Sequence, residues 1–453
     1  MLRRLAGTGL RARGLIAALV LCGPFAPGVF APRAVAASAA EDAEQFAVHG
    51  QFTYTEQDTG GFDEPYRGVN SLTPHTGAET VDATLFLGAR LWAGSEIWAS
   101  PEIDQGFGLD DTRGAAGFPS GEAYKVGKNQ PYFRLQRMFV RQTLDLDGQS
   151  EPVDSAQLQL SGSRSPNRLV LTVGKFSVVD VFDNNQYAHD PRNDFLNWAA
   201  LDAGTFDYAA DAWGYSVGAA LEWYRGSWAL RFGVFDLSDI PNSPQLEPAF
   251  HEFQYDIEIE RAYALGERPG KLRVAAFDSR ARMGLLDEAV ALAQSTDSPA
   301  NAAYVRNYRS RLGAHLDLEQ ELCEGLGLFA RAGKDQGNVE PYEFTDIDRT
   351  ISAGLSLQGT AWSRGGDTVG FAAILNGISA ERERYLNAGG LGILIGDGKL
   401  PDPGPEKIIE TYYSLSVLRY AHLTLDYQFV TNPGYNRDRG PVSIFAVRVH
   451  AQF

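Results

Sequence analysis

At the end of the chain, apolar and polar positions alternate one by one. Phe445, Val447, Val449, Ala451 and Phe453 form one row, interleaved with Ala446, Arg448, His450 and Gln452. A repeat of two sends successive side chains to opposite faces of a strand. The same alternation recurs at Leu85/Leu87/Ala89/Leu91, Tyr215/Val217/Ala219/Leu221/Trp223, Trp228/Leu230/Phe232/Val234 and Phe253/Tyr255/Ile257/Ile259. It continues through Leu272/Val274/Ala276, Leu312/Ala314/Leu316/Leu318, Leu326/Leu328/Ala330/Ala332 and Ile351/Ala353/Leu355/Leu357. Val369/Phe371/Ala373/Leu375, Tyr413/Leu415/Val417 and Leu423/Leu425/Tyr427/Phe429 complete the series. None of these rows carries a charge, whereas the opposite rows hold Glu222, Arg231, Asp256, Glu258, Arg273, Asp317, Glu319, Arg331 and Asp426.

A soluble sandwich also alternates, with its apolar faces turned to a shared core. The connections separate the two architectures. Trp223 to Trp228, Trp362 to Val369 and Arg419 to Leu423 are tight turns, and between such pairs lie long segments near 57–79, 104–132, 175–212, 235–250, 279–308, 334–348, 377–407 and 431–441. Alternating short and long connections, with strands of about ten residues, predict an all-β chain: a transmembrane antiparallel barrel with short turns at one end and extracellular loops at the other. A closed barrel satisfies every backbone group in lipid, which an open sheet cannot. Seventeen candidate strands can be found; setting aside weak 156–161 leaves the even number 16, and a strand hidden in 104–132 makes 18. Sixteen strands leave a water-filled lumen.

The N-terminus reads as an export signal. Five arginines and no acid fall within residues 1–36, Leu15 to Cys22 is apolar, and Ala34-Val35-Ala36 offers a cleavage site. Cleavage near Ala36 leaves residues 37–453 as one barrel domain, with the single cysteine Cys323 and a net charge of −22. That charge argues against a nucleic-acid partner, and one thiol permits no internal disulfide. An outer-membrane barrel meets lipid and lipopolysaccharide, and both monomer and homotrimer fit the sequence.

Motifs for catalysis and cofactors are weak. Gly214-x-Ser216-x-Gly218 matches a nucleophile pattern but opens a strand rather than a strand-to-helix elbow, so Ser216 reads as a lumen hydroxyl. Gly325-x-Gly327-x-x-Ala330 lies inside a strand and predicts no dinucleotide site. His315, Asp317 and Glu319 share one face and read as a solvated wall row, not a metal site.

Segment 175–212 is too long for a simple connector. It combines aromatics (Tyr187, Phe195, Trp198, Phe206, Tyr208) with planar polar groups and charges (Lys175, Asp183, Asn184, Asn185, His189, Asp190, Arg192, Asn193, Asp194, Asp207). Sugars present C–H faces to aromatic rings and hydroxyl rings to Asp, Asn and Arg. The segment predicts a constricting inner loop; a lid packed outside the bore is the other reading. On the wall, Arg90, Glu102, Asp104, Arg137 and Arg141 lie on or beside lumen-facing rows. Arg137 and Arg141 share a face about 13–14 Å apart.

The run GKFSVVDVFDNNQYAHDPRNDFLNWAALDAGTFDYAADAWGYSVGAALEW, 174–223, resembles the hallmark stretch of the OprB family of carbohydrate-selective porins. GVNSLTP (68–74), ATLFLGARLW (83–92), PEIDQGFG (101–108), AGFPSGEAYKVG (116–127), RARMG (280–284) and the terminal Phe453 are similar to further family signatures in the same order. Trp213 departs from the basic residue expected after Ala-Asp-Ala. The resemblance implies facilitated diffusion of small neutral sugars, monosaccharides such as glucose, across the outer membrane of a Gram-negative bacterium, with no cofactor. A general or ion-selective porin stays open beside it, as does a barrel enzyme using Ser216.

Overall fold

A computed structural model describes residues 43–123 and 127–453. The expected export signal, its cleavage site and residues 124–126 lie outside the described residues. Sixteen strands close into one antiparallel barrel. They are β1 (Phe46–Thr59), β2 (Gly77–Trp92), β3 (Ser95–Gly106), β4 (Lys128–Asp147), β7 (Asn167–Phe176), β8 (Ser216–Arg225), β9 (Trp228–Asp236) and β10 (Phe253–Leu265). The circle continues with β11 (Arg268–Met283), β12 (Asn307–Cys323), β13 (Leu326–Asp335), β14 (Arg349–Gln358), β15 (Thr368–Gly377), β16 (Glu406–Leu418), β17 (Ala421–Thr431) and β18 (Val442–Gln452). A separate small hairpin, β5 (Glu151–Val153) and β6 (Gly162–Arg164), sits between β4 and β7 in the chain.

The predicted segment 156–161 belongs to that hairpin, where Ala156 bridges Gln159, and not to the wall. The described residues of 104–132 add only strand ends and one short turn (Leu109–Asp111), so the count is 16 and not 18. β1 meets β18 along the seam, with Gln51 opposite Gln452 and Thr59 opposite Ile444.

The predicted rows face as expected. Val217, Leu221, Phe232, Ile257, Val274, Leu316, Ile351 and Phe371 are exposed on the outside. Arg231, Glu258, Arg273, Asp317, Arg331 and Asp426 are buried inside. Aromatics crowd the turn end of the outer face (Phe46, Trp92, Trp223, Trp228, Tyr420), where amphipathic rings suit a membrane interface.

Three features depart from the sequence reading. Tyr215, placed by alternation on the apolar row, is buried and turned inward, because regular pairing of β8 begins only at Ser216. A bulge opposite Ser100/Pro101 inserts one residue into β4, so Gln136 and Arg137 both turn inward. The long loops also contain helices, Leu286–Thr296 and Ala380–Asn387, where strands alone were expected. In the first, Leu286, Ala289, Val290 and Ala293 form a buried stripe, with Asp287 and Glu288 at the favourable N-terminal turn.

Candidate functional site

The segment between β7 and β8, residues 177–215, lies inside the barrel, which decides between the two readings of it. The inner wall holds it through its own backbone. Glu258 accepts from the Asp183 N–H at 2.8 Å, Glu319 from Gln186 N–H at 3.0 Å, and Glu410 from the Leu196 N–H at 2.5 Å. Wall arginines do the converse. Arg331 donates to the carbonyls of Ala200 (2.8 Å) and Ala188 (2.9 Å), and Arg448 to those of Asp194 (2.9 Å) and Pro191. Charges that alternation turned inward on β10–β18 therefore satisfy an irregular buried loop that would otherwise leave polar groups orphaned. His315, Asp317 and Glu319 are buried beneath this loop, so the expectation of a solvated row is corrected. Asp317 pairs with Arg273 at 2.8 Å and accepts from Asn185 at 2.6 Å.

The loop fills the side of the bore under β10–β18 and leaves a cavity of about 610 Å³, the candidate passage, beside β2–β4, β7 and β8. Eight predicted residues line it: Glu102, Arg137, Arg141, Asn184, His189, Asp190, Arg192 and Tyr208. Arg137 grips Asp180 in a two-pronged pair (2.7 and 2.8 Å), with its guanidinium 4.9 Å from the Tyr215 ring centre. Burial alone would raise the Asp180 carboxyl, but Arg137 and the Ser177 N–H outweigh it and hold it below the usual carboxylate range. Arg192 sits among four carboxylates: Glu122 (3.1 Å), Asp82 (3.5 Å), Asp190 (3.8 Å) and Glu102 (3.9 Å).

Arginine laid on an aromatic face recurs. Arg134 stands 3.3 Å from the centre of the Trp213 ring, whose Nε1–H donates to the Tyr132 hydroxyl at 2.9 Å, and Arg168 stands 3.8 Å from Tyr224. Stacking fixes the guanidinium plane and leaves its edge for hydrogen bonds. A side chamber of about 90 Å³ shares Gly121, Tyr208, Trp213 and Gly214 with the passage and is walled by Phe118, Trp198 and Phe344.

At the turn end, Gln157, Leu158 and Gln159 from the hairpin segment also line the passage. Arg141 holds this segment through the Leu158 carbonyl at 2.7 Å and Gln157 donates to Gln51 at 3.3 Å. Arg90 does not line the passage; it ties the hairpin to the N-terminal segment through the carbonyls of Ser161 and Glu44, each at 3.0 Å.

The other predicted residues serve as supports. Asp104 is buried in the wall beside Gln136, and Lys175 pairs with Asp211 at 2.9 Å. Asp183 takes the Ala203 N–H at 2.6 Å and Arg331 at 3.2 Å, while Asp194 takes the N–H groups of His189 and Asp190 at 3.1 Å each. Tyr187 lies flat over Gly327, where any Cβ would stand 2.0 Å from its ring. Trp198 stacks on Phe118 with centroids 5.5 Å apart. Asp207 is fully buried, and its two oxygens accept from four backbone N–H groups, Tyr342 to Thr345, and from Arg311. Sequence reasoning left out Tyr215, Glu122, Leu158 and Tyr224 as lining groups; Tyr215 had been placed facing lipid, and Leu158 on a discarded strand. Ser216 is buried on β8 with its hydroxyl donated to the Asp236 carbonyl at 2.5 Å.

Apolar outside and polar within, with a loop folded into the bore beside a polar-lined cavity, this barrel defines its class: a porin of the bacterial outer membrane. The chain matches the OprB family, the carbohydrate-selective porins, over residues 70–453 and belongs to it. Among solved structures, Pseudomonas putida OprB at high pH superposes with a TM-score of 0.68 at 14% identity, covering 90% of this chain and 94% of that one. The outer-membrane channel DcaP of Acinetobacter baumannii gives a TM-score of 0.48 at 10% identity, covering 92% and 100%. At such identities the likeness speaks for the fold alone. No curated protein matches the sequence.

Proposed function

We propose that the protein lets neutral monosaccharides such as glucose diffuse into the periplasm through the passage beside β2–β4, β7 and β8. In this reading Arg137, Arg141 and Arg192 donate to sugar hydroxyls, Glu102 and Asp190 accept from them, and Tyr208, Trp213 and Tyr215 contact C–H faces. One observation carries it: Arg137, Arg141 and Arg192, which line the passage, are already paired with carboxylates, and Arg168 is stacked on a ring. Such groups keep spare hydrogen-bonding edges yet have little net charge to trap an ion. Transport needs binding strong enough to attract and weak enough to release, so we expect roughly millimolar affinity, about −4 kcal/mol. Residues 1–36 are removed on export in this reading, which N-terminal sequencing of the mature protein tests.

The competing reading, a general or ion-selective porin, rests on the net charge of −22 left after loss of residues 1–36, which would favour cations. Liposome swelling with glucose, arabinose and a charged solute of similar size separates the two; equal rates remove the selectivity. Single-channel current with glucose titrated in, on wild type and Arg141→Ala, tests the contacts. Concentration-dependent block in wild type, weakened in the variant, is expected; no block in either refutes pore affinity.

A further inference from the structure

The outer face carries a feature that sugar passage does not use. A groove of about 700 Å³ runs across β11–β15 to Pro405, apolar along most of its length, with Leu316, Ile351 and Leu375 standing around the smaller Ala314 and Ala332. Its loop-end mouth is basic. Lys334, the penultimate residue of β13, lies directly opposite Arg349, the first of β14, and both line the groove. Arg349 in turn lies opposite Gly377, whose missing side chain makes room for the arginine stem: a Cβ there would stand 2.5 Å from Arg349 Nε. Lys407 of β16 stands beside Leu375 on the next strand. Neighbouring strands are about 4.8 Å apart, so the three cations fall within roughly one lipid headgroup of each other.

Like charges directly opposite in an antiparallel pair destabilise it unless a counter-charge is present. The protein supplies none: no ion pair among the described residues includes Lys334, Arg349 or Lys407. The nearest carboxylates in sequence turn inward, Asp335 to Arg311, Asp348 to Arg382 at 2.7 Å and Glu406 to the Gly117 N–H at 2.7 Å. Three exposed cations without a carboxylate partner, on a chain of net charge −17 and set at or beside the loop end of an acyl-sized groove, offer an anion from outside a ready site.

We infer that this groove binds one lipopolysaccharide molecule of the outer leaflet, its acyl chains along Ala314 and Ala332 and its phosphates on Lys334, Arg349 and Lys407. The inference rests on the outer-membrane location and is independent of what passes through the bore. Native mass spectrometry of the detergent-solubilised barrel, titrated with bis-phosphorylated lipid A, tests it. Wild type is expected to retain one lipid A at least tenfold more tightly than the Lys334→Gln/Arg349→Gln/Lys407→Gln variant, and dephosphorylated lipid A is expected to bind wild type as weakly as lipid A binds the variant. Equal retention by the variant, or equal binding of the dephosphorylated lipid, overturns the site. Phosphatidylglycerol retained as tightly as lipid A overturns the assignment to a saccharolipid. Should the triple variant not form a heat-resistant barrel, Arg349→Gln alone and the lipid comparison on wild type decide. Glucose flux through the variant is expected to be unchanged, because the three side chains face away from the bore; its loss would count against the passage and not against this groove.

Discussion

Asp207→Asn tests whether the inner loop is held by a few saturated carboxylates. Asp207 Oδ1 accepts from the N–H groups of Glu343 (3.2 Å), Phe344 (2.9 Å) and Thr345 (3.2 Å), and Oδ2 from Tyr342 N–H (2.7 Å) and Arg311 (2.5 Å). An asparagine can keep its carbonyl toward the first three. Its NH2 group then faces two donors, so the charge-assisted bond to Arg311 is lost, worth about 1.5–3 kcal/mol, and the Tyr342 N–H is left buried without an acceptor, costing about 1–3 kcal/mol. Arg311 keeps Asp335 as a partner. The sum, about 2.5–6 kcal/mol, is local, because the barrel hydrogen bonds are untouched. Amide hydrogen exchange reads it directly: protection over 204–210 and 342–345 is expected to fall by about two to four orders of magnitude, with β12 and β13 unchanged. A fall of less than threefold at those amides would refute the anchoring argument.

Trp213→Ala removes the ring beneath Arg134, a contact worth about 0.5–2 kcal/mol, and joins the side chamber to the passage; planar-bilayer conductance is expected to rise and glucose–arabinose discrimination in liposome swelling to fall. Gly327→Val drives a side chain into the Tyr187 ring, and a loss of about 1–3 kcal/mol from overpacking is expected in the urea midpoint of the detergent-solubilised barrel. Burial would lower His189, but Asp202, 3.4 Å away, outweighs it and raises the imidazole above its ordinary value. That stabilisation is complete below about pH 6.5 and is lost as pH rises through the raised value. Exchange protection over 188–203, corrected for intrinsic rates, should decline with alkalinity in wild type and stay level in His189→Gln.

The wall was legible because lipid and water impose opposite demands on alternate residues, and that demand is local. Sixteen strands and the short and long connections follow from it. Tyr215 was misread because alternation carries no mark of where pairing starts, and the bulge that turns Gln136 inward shifts the facing of a strand without a compositional cue. The loop's composition announced an unusual segment, yet could not sort its acids. Asp190 borders open space while Asp183 and Asp207 are sealed against partners more than a hundred positions away, and only the folded chain brings Arg311 or Arg331 to them. The loop helices were hidden for a related reason: Leu286, Ala289, Val290 and Ala293 show a helical stripe, but over only eleven residues between strands of stronger period.

The junction of β1 with β18 differs from every other contact in the ring. Each remaining neighbour follows its partner around the wall across a turn or a loop of at most about forty residues, whereas Gln51 must find Gln452 across almost the entire polypeptide. For a flexible chain, that search costs about 3 kcal/mol more in loop-closure entropy than joining residues ten apart. The cylinder should therefore shut last and at one place, and until it does, two bare edges face the membrane. Lesions confined to those two strands should slow maturation in the envelope far more than equal lesions elsewhere on the wall, even where the finished pores are equally stable.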